Sequence, residues 1–210
     1  MYRCHPQTQK VAELVRDGAV GEVEMIRSVF SYNAAFNPES RAYNKALGGG
    51  GILDVGCYTT SMTRLLAGAA SGEPFMEPTE VKGCGKLGPT GVDHYAAATL
   101  KFENDVVAQL ITGVGCWVPT EVSVFGSEGR LSVPTPWLPS TPCRGAREAL
   151  PLDTEFPPTT IQLWPNGASE PEAIVVEVDR DLFTYEADTV AENIGRRQAP
   201  AMSWDDTLGN

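Results

Sequence analysis

The residues best suited to chemistry are an aspartate and, four positions later, a tyrosine: Asp54 and Tyr58. Side chains at positions i and i+4 project side by side from an α-helix, so this carboxylate and this phenol would face one site. A phenol has a pKa of about 10, and it exchanges protons at neutral pH only beside a cation that lowers this pKa. No lysine of the sequence stands in an obvious position to supply that charge, so we expect a partner segment to supply it.

Spacing alone leaves a structural interpretation of the pair open. Asp54 could satisfy the free N–H groups of a helix N-terminus, while Tyr58 packs half-buried. The neighbouring Cys57 could be a nucleophile, but no histidine lies near it in the sequence. We therefore interpret Cys57 as a small packing residue.

A glycine-led helix must position the pair. The four glycines at residues 48–51 let the backbone adopt φ values that other residues avoid, and they allow a ligand to approach closely. Behind them, apolar groups recur at the three- and four-residue steps of a helix: Val55, Thr59 (by its methyl), Met62 and Leu66. We expect this helix to end near Gly68.

The rest of the chain predicts an α+β fold. A helix that starts at Pro6 and is closed by Gly18 precedes a strand over residues 23–32. Further strands are predicted at residues 80–85, 95–102, 106–114, 121–125, 130–133, 160–163 and 173–178. Their short, turn-like connections imply antiparallel neighbours. We predict one domain over residues 1–210, an open, mostly antiparallel sheet with helices packed on one face.

The end of the chain contains less regular segments. Residues 134–158 are rich in Pro, Thr and Ser without periodicity, which predicts a long surface loop. A helix is predicted over residues 182–195, and Ser203 begins a pattern typical of a helix N-cap and first turn. We expect that last helix to be cut off at Asn210.

Composition excludes several classes of function. A net charge of −11 argues against a nucleic-acid surface, which needs clustered Lys and Arg. No apolar run approaches the roughly 20 residues of a membrane-spanning helix, and the first residues show no signal peptide. Five scattered cysteines and two histidines predict neither a metal site nor a disulfide framework, which fits a cytoplasmic location.

Residues 83–88 match the dinucleotide fingerprint G-x-G-x-x-G. That fingerprint works by aiming a helix N-terminus at a pyrophosphate, but here a proline and further loop residues follow and no helical period begins. We interpret these residues as a strand that runs into a loop.

Five blocks of sequence closely resemble the substrate domain of one oxidoreductase family. They read YRCHPQ (2–7), GAVGEV (18–23), GGGGILDVGCY (48–58), GVD (91–93) and VFGSEGRL (124–131). The family is that of glucose–fructose oxidoreductase, inositol dehydrogenase and the rhizopine-catabolism protein (Gfo/Idh/MocA), which includes dihydrodiol dehydrogenase. The resemblance covers nearly the whole chain in the family's order.

The resemblance implies roles for the aspartate–tyrosine pair. In such enzymes an N-terminal Rossmann domain binds NAD or NADP and carries a catalytic lysine in a Glu-Lys-Pro motif. Tyr58 would exchange a proton with the substrate oxygen while a hydride passes to or from the nicotinamide. Asp54 would orient either a substrate hydroxyl or the phenol. This chain resembles the part that follows the Rossmann domain, so Met1 would be an internal residue of a longer enzyme. We therefore expect the 210-residue chain by itself neither to bind NAD(P) well nor to catalyse.

The resemblance also suggests a substrate and partners. The substrate would be a sugar, a polyol or a related cyclic alcohol, with Arg3, His5, Asn37 and Arg41 as candidate contacts. Arg3 and His5 could equally be structural residues that lead into the first helix. A homo-oligomer through the exposed sheet face is expected. The alternative from another class is a non-catalytic ligand-binding or regulatory protein that keeps the fold.

Overall fold

The computed structural model describes residues 1–141 and 155–210. Its helices are α1 (Pro6–Arg16), α2 (Cys57–Ala69), α3 (Leu182–Asn193) and α4 (Trp204–Leu208). Its strands are β1 (Val23–Ser31), β2 (Pro78–Leu87), β3 (Asp93–Phe102), β4 (Val107–Gly113), β5 (Glu121–Gly126), β6 (Gly129–Val133), β7 (Thr159–Pro165) and β8 (Glu172–Val176). Each of these elements lies within a few residues of a predicted one.

The strands form one open sheet in the order β2-β3-β4-β1-β5-β6-β7-β8. Every neighbouring pair is antiparallel except β1 and β4, which run parallel. A parallel pair needs a long crossover, and here the crossover contains α2 and the β2–β3 hairpin. The predicted α+β class with an open, mostly antiparallel sheet is confirmed.

The core lies between one face of the sheet and the first two helices. α2 packs on β1 and β4, and α1 contacts α2. On β1 and its neighbours, Ile26, Leu110 and Val124 are at most 5% exposed and belong to the same apolar cluster as Met62 and Leu66. The apolar residues that recur at helical spacing in the sequence are therefore the ones on the buried side of α2.

The fingerprint-like glycines lie in β2, as the missing helical period indicated. Gly83 and Gly85 pair with Ala98 and Ala96 of β3. A Cβ on Gly85 would come within 2.8 Å of the Tyr95 carbonyl oxygen, so close strand packing explains this glycine. No helix N-terminus follows that could hold a phosphate.

The prediction of a surface loop over residues 134–158 is wrong where the structure describes its first part; residues 142–154 lie outside the described residues. Trp137 is 2% exposed, and its indole Nε1 donates a hydrogen bond to the Val29 carbonyl oxygen at 2.9 Å. One large aromatic side chain can anchor an aperiodic segment because it buries a large area by itself. Such a contact leaves no periodic signal.

A buried ion cluster ties the end of the chain to its beginning. Asp206 of α4 is 2% exposed. Its carboxylate accepts hydrogen bonds from Arg3 at 2.7 Å and from Arg64 at 2.8 Å. The predicted helix start is confirmed, since the Ser203 hydroxyl accepts a bond from the Asp206 N–H. Arg64 is fully buried and also contacts Glu77.

The described helices include none that is both long and apolar enough to cross a membrane.

We predict that Asp206→Asn strongly destabilises the protein. The change leaves two buried guanidinium groups without their shared counter-ion, and breaking a buried ion pair costs about 3–5 kcal/mol. Urea unfolding would measure the loss. Asp205→Asn, on the exposed side of the same short helix, is the control and should cost under about 1 kcal/mol. Equal losses in the two variants would contradict the role given to the cluster.

Candidate functional site

The candidate site begins at an irregular helical turn. Residues Ile52–Gly56 form a π-helix that leads into α2, and the Cys57 N–H bonds back to the Ile52 carbonyl oxygen. The sequence predicted a regular α-helix here. A π turn holds an extra residue and often occurs at functional sites. In the described structure the Asp54 carboxylate accordingly makes no hydrogen bond to the Tyr58 hydroxyl.

Two strands hold this turn in place. The Asp93 carboxylate, at the start of β3, accepts a hydrogen bond from the Ile52 N–H at 2.8 Å. The Thr112 hydroxyl of β4 donates to the Gly51 carbonyl oxygen at 2.7 Å. A Cβ on Gly51 would lie 2.8 Å from the Gly113 Cα, so the turn can sit this close to β4 only with glycine there.

The Asp54 side chain is held by two partners. The Tyr32 hydroxyl, just beyond β1, donates to one carboxylate oxygen. Arg41 donates from Nη1 to the other oxygen at 2.5 Å. The Asp54 side chain is only 8% exposed, whereas that of Arg41 is 68% exposed. Burial and the hydrogen bond to Asp54 raise the pKa of Tyr32, so this phenol stays a donor.

Tyr58 points its ring into an aromatic cluster. Its ring centroid lies 5.5 Å from that of Tyr2, 5.1 Å from Phe30 and 6.0 Å from Trp137. Within residues 1–141 and 155–210, its hydroxyl makes no hydrogen bond to protein. Burial is the largest cause that raises the pKa of Tyr58, and Asp54 raises it further. The side chain is therefore a protonated phenol at neutral pH.

A cavity of about 440 Å³ opens beside Tyr58. Its walls come from the first residues of the chain, the start of α2, the α3 residue Glu186 and the end of the chain. Cys57 lines it too and is exposed, so its interpretation as a packing residue is wrong.

The structure brings only part of the predicted contact set together. Arg41 lies at Asp54, as described, and Asn37 is exposed in the same loop, where its Oδ1 accepts from the Glu39 N–H at 3.0 Å. Arg3 lines the cavity but is buried and bonded to Ser61 and Asp206. The substrate contacts of Asn37, Arg41 and Arg3 stay predictions.

His5 has no exposed surface and stands at the N-cap of α1. Its Nδ1 accepts a hydrogen bond from the Gln7 N–H at 3.1 Å, and its ring meets Tyr185 edge-on. Burial lowers the pKa of His5 from 6.5 to about 4. These contacts fit the structural alternative, and a substrate contact stays a prediction.

Sequence reasoning missed two residues that shape the site. Tyr32 follows a strand with no motif around it, so nothing local marked it. Asp93 stood in one of the family-like blocks, but only the fold shows that it holds the turn before Asp54. In the described part of the chain, no three His, Cys, Asp or Glu side chains are grouped so that they could hold a metal ion.

Comparison with known proteins gives a consistent result. A family model described as the GFO/IDH/MocA C-terminal domain matches residues 8–132. Trans-1,2-dihydrobenzene-1,2-diol dehydrogenase from Danio rerio is 32% identical over 140 residues, which are 66% of this chain and 40% of that protein. The D-xylose 1-dehydrogenase (NADP(+)) 2 of Haloferax volcanii is 31% identical over 131 residues, 62% of this chain and 38% of its own.

Solved structures share the fold at lower identity. An aldose-aldose oxidoreductase from Caulobacter crescentus, complexed with glycerol, superposes with a TM-score of 0.76 at 20% identity. The superposition covers 99% of this chain and 56% of the oxidoreductase chain. A 3-ketoreductase from Actinomadura kijaniata, in complex with NADP and TDP-benzene, superposes with a TM-score of 0.75 at 21% identity. The superposition covers 100% of this chain and 57% of the ketoreductase chain. The chain thus spans roughly two fifths to three fifths of these proteins.

We predict that acid weakens the fold through His5. Because the pKa is lowered in the folded state, the unfolded chain binds the proton first as pH falls below 6.5, and stability drops until about pH 4. The loss should reach at most about 3 kcal/mol. His5→Asn keeps an N-cap acceptor but does not titrate. Urea unfolding between pH 7 and pH 4 should therefore show a steeper decline in the parent, and parallel curves would contradict this.

Proposed function

The chain belongs to the Gfo/Idh/MocA oxidoreductase family, and we propose that it is the substrate domain of an NAD(P)-dependent oxidoreductase. Its substrate would be a sugar, a polyol or a related cyclic alcohol. The observation that carries the proposal is Tyr58, which lines the cavity at the start of α2 and whose hydroxyl has no hydrogen-bond partner among the described residues. Asp54 is close enough to raise the pKa of this phenol.

In the proposed reaction this chain supplies the group that donates or accepts the proton. A nicotinamide cofactor supplies or accepts the hydride in such chemistry. Tyr58, whose pKa is raised, holds its proton and can donate it to a substrate carbonyl oxygen. Operation as a base needs a cation that lowers this pKa, and Arg41 acts in that direction. Asp54, fixed by Tyr32 and Arg41, would orient a substrate hydroxyl.

The dinucleotide-like motif of the described chain does not offer a site for cofactor phosphates. The one dinucleotide-like motif is paired into the sheet through Gly83 and Gly85, so it has no helix N-terminus to offer. We propose that a separate cofactor domain, with the catalytic lysine, docks around the Tyr58 cavity. Large apolar side chains are exposed on the nearby helical end of the chain: Phe183, Val190, Ile194, Trp204 and Leu208. Exposed apolar surface of this kind is typical of a docking site.

The substrate class rests on the polar groups and on the relatives. The dehydrogenase of Haloferax volcanii is named for xylose, and the Caulobacter crescentus structure is that of an aldose oxidoreductase with glycerol. A carboxylate and a guanidinium fixed side by side suit a ligand with several hydroxyl groups, because each hydroxyl needs a donor or an acceptor.

We further propose that the chain forms a homo-oligomer through the outer face of the sheet. That face carries Met25 of β1 at 45% exposure and Tyr95 of β3 at 38% exposure, level with opposite ends of β4, which lies between the two strands. The helices cover the other face, so these apolar groups are left for a partner.

We predict that Tyr58→Phe, in the longer enzyme that we propose, lowers kcat by about 10²–10⁴-fold. The substituted ring keeps its packing against Tyr2 and Phe30 but loses the proton donor. Oxidation of NADH and NADPH with a panel of aldoses and cyclic ketones would measure the effect. Tyr95→Phe is the matched control and should keep parental activity, because it keeps the ring on the outer sheet face and removes a hydroxyl that bonds to no described residue. If Tyr58→Phe is as active as the parent, the catalytic proposal fails. If no member of the panel is turned over by the parent, the non-catalytic alternative gains.

We also predict that the 210-residue chain alone binds NADH and NADPH with a dissociation constant weaker than about 0.1 mM, because the phosphate site is proposed to lie elsewhere. Isothermal titration calorimetry would measure it. Micromolar binding of NADH or NADPH by this chain would contradict the proposal that the cofactor binds mainly to a separate domain.

A further inference from the structure

Strand β2 is an open edge of the sheet. Within the described residues it pairs with β3 alone, over ten residues from Pro78 to Leu87. After Pro78 every residue of the strand is exposed. Such an edge offers a row of unpaired N–H and C=O groups to another strand.

The charges on this edge are self-complementary. Glu80, Lys82 and Lys86 project from the same face because they are an even number of residues apart. If a second copy pairs antiparallel with Gly83 opposite Gly83, each Glu80 stands opposite the other copy's Lys86. The pairing spans nine residues, from Thr79 to Leu87, and contains this opposite-charge pair twice.

Other registers that place the helix-covered faces of both sheets on the same side bring like charges together or shorten the ladder. A shift that centres the pairing on Cys84 puts Lys82 opposite Lys86, and one centred on Lys82 puts the two Lys82 side chains opposite each other. Like charges directly opposite are destabilising. A shift centred on Val81 keeps the Glu80–Lys82 pair but shortens the ladder to seven residues, from Pro78 to Cys84.

The side chains on the other face of β2 are also sterically compatible with this register. Val81 is 63% exposed and would stand opposite the second copy's Gly85, which has no side chain. Gly83, Gly85 and Val81 line an apolar groove of about 480 Å³ between the β2–β3 hairpin and the start of α2. A second copy's Val81 would therefore lie at the edge of that groove and cover part of it.

We propose that two copies of this chain associate through their β2 edges, antiparallel and centred on Gly83, to form one continuous sheet of sixteen strands from two sheets of eight. This contact uses the backbone of β2, whereas the oligomer proposed above uses side chains of the outer sheet face. It does not depend on the proposed catalytic role.

A register-specific cross-link tests the proposal. Two variants, Glu80→Cys and Lys86→Cys, are each made in a Cys84→Ser background and mixed at about equal concentration under mild oxidation, since cross-strand neighbours lie within disulfide reach. We expect a covalent dimer in the mixture. Either variant alone should give at least about tenfold less product, because its two cysteines would lie about six residues apart along the strand. The Cys84→Ser background alone measures cross-linking through the remaining cysteines.

Charge reversal supplies a second measurement. Glu80→Lys and Lys86→Glu should each weaken association, by roughly tenfold in the dissociation constant, and the double variant should restore it. Analytical ultracentrifugation would measure this, and circular dichroism would check that each variant is folded. Equal cross-linking in the mixture and in the single variants, or no product at all, would overturn the proposal. A dimer that all charge variants form equally would overturn it too and would favour the outer sheet face.

Discussion

The structure depends on the ion cluster in which Asp206 accepts hydrogen bonds from Arg3 and Arg64. All three side chains are at most 9% exposed, so the carboxylate and the two guanidinium groups need each other to be tolerated away from water. The cluster joins the first turn of the chain, the middle of α2 and α4. The first residues of the chain, the start of α2 and the residues on either side of α4 line the cavity beside Tyr58, so the cluster joins segments that border this cavity.

The chemistry of the candidate site depends on how a helix starts. The irregular turn before α2 is clamped by a carboxylate from β3 and a hydroxyl from β4, which meet its backbone rather than its side chains. The clamp leaves the Asp54 carboxylate free to bond with Tyr32 and Arg41, and the Tyr58 hydroxyl has no hydrogen-bond partner among the described residues. The sheet thus fixes the turn through its backbone and not through the side chains of Asp54 and Tyr58.

The electrostatics around Tyr58 keep its phenol protonated at neutral pH. Burial and nearby negative groups raise the pKa of this phenol, and Arg41, a cation that lowers it, is paired with Asp54. A protonated phenol suits proton donation, whereas proton abstraction needs additional positive charge at the oxygen. In the longer enzyme that we propose, a segment outside this chain would supply that charge. The compared family members are about twice as long as this chain.

The sequence by itself determined the helices, the strands and the family, because hydrophobic period, turn residues and glycine-led blocks are local signals. It placed α2 and most strands within a few residues, rejected the false dinucleotide fingerprint and selected Asp54 with Tyr58. Only the tertiary structure decided which groups meet them. Tyr32 and Asp54 are 22 residues apart, Trp137 and Val29 are 108, and Arg3 and Asp206 are 203. Contacts over such separations arise when strands and helices pack, so no local pattern encodes them.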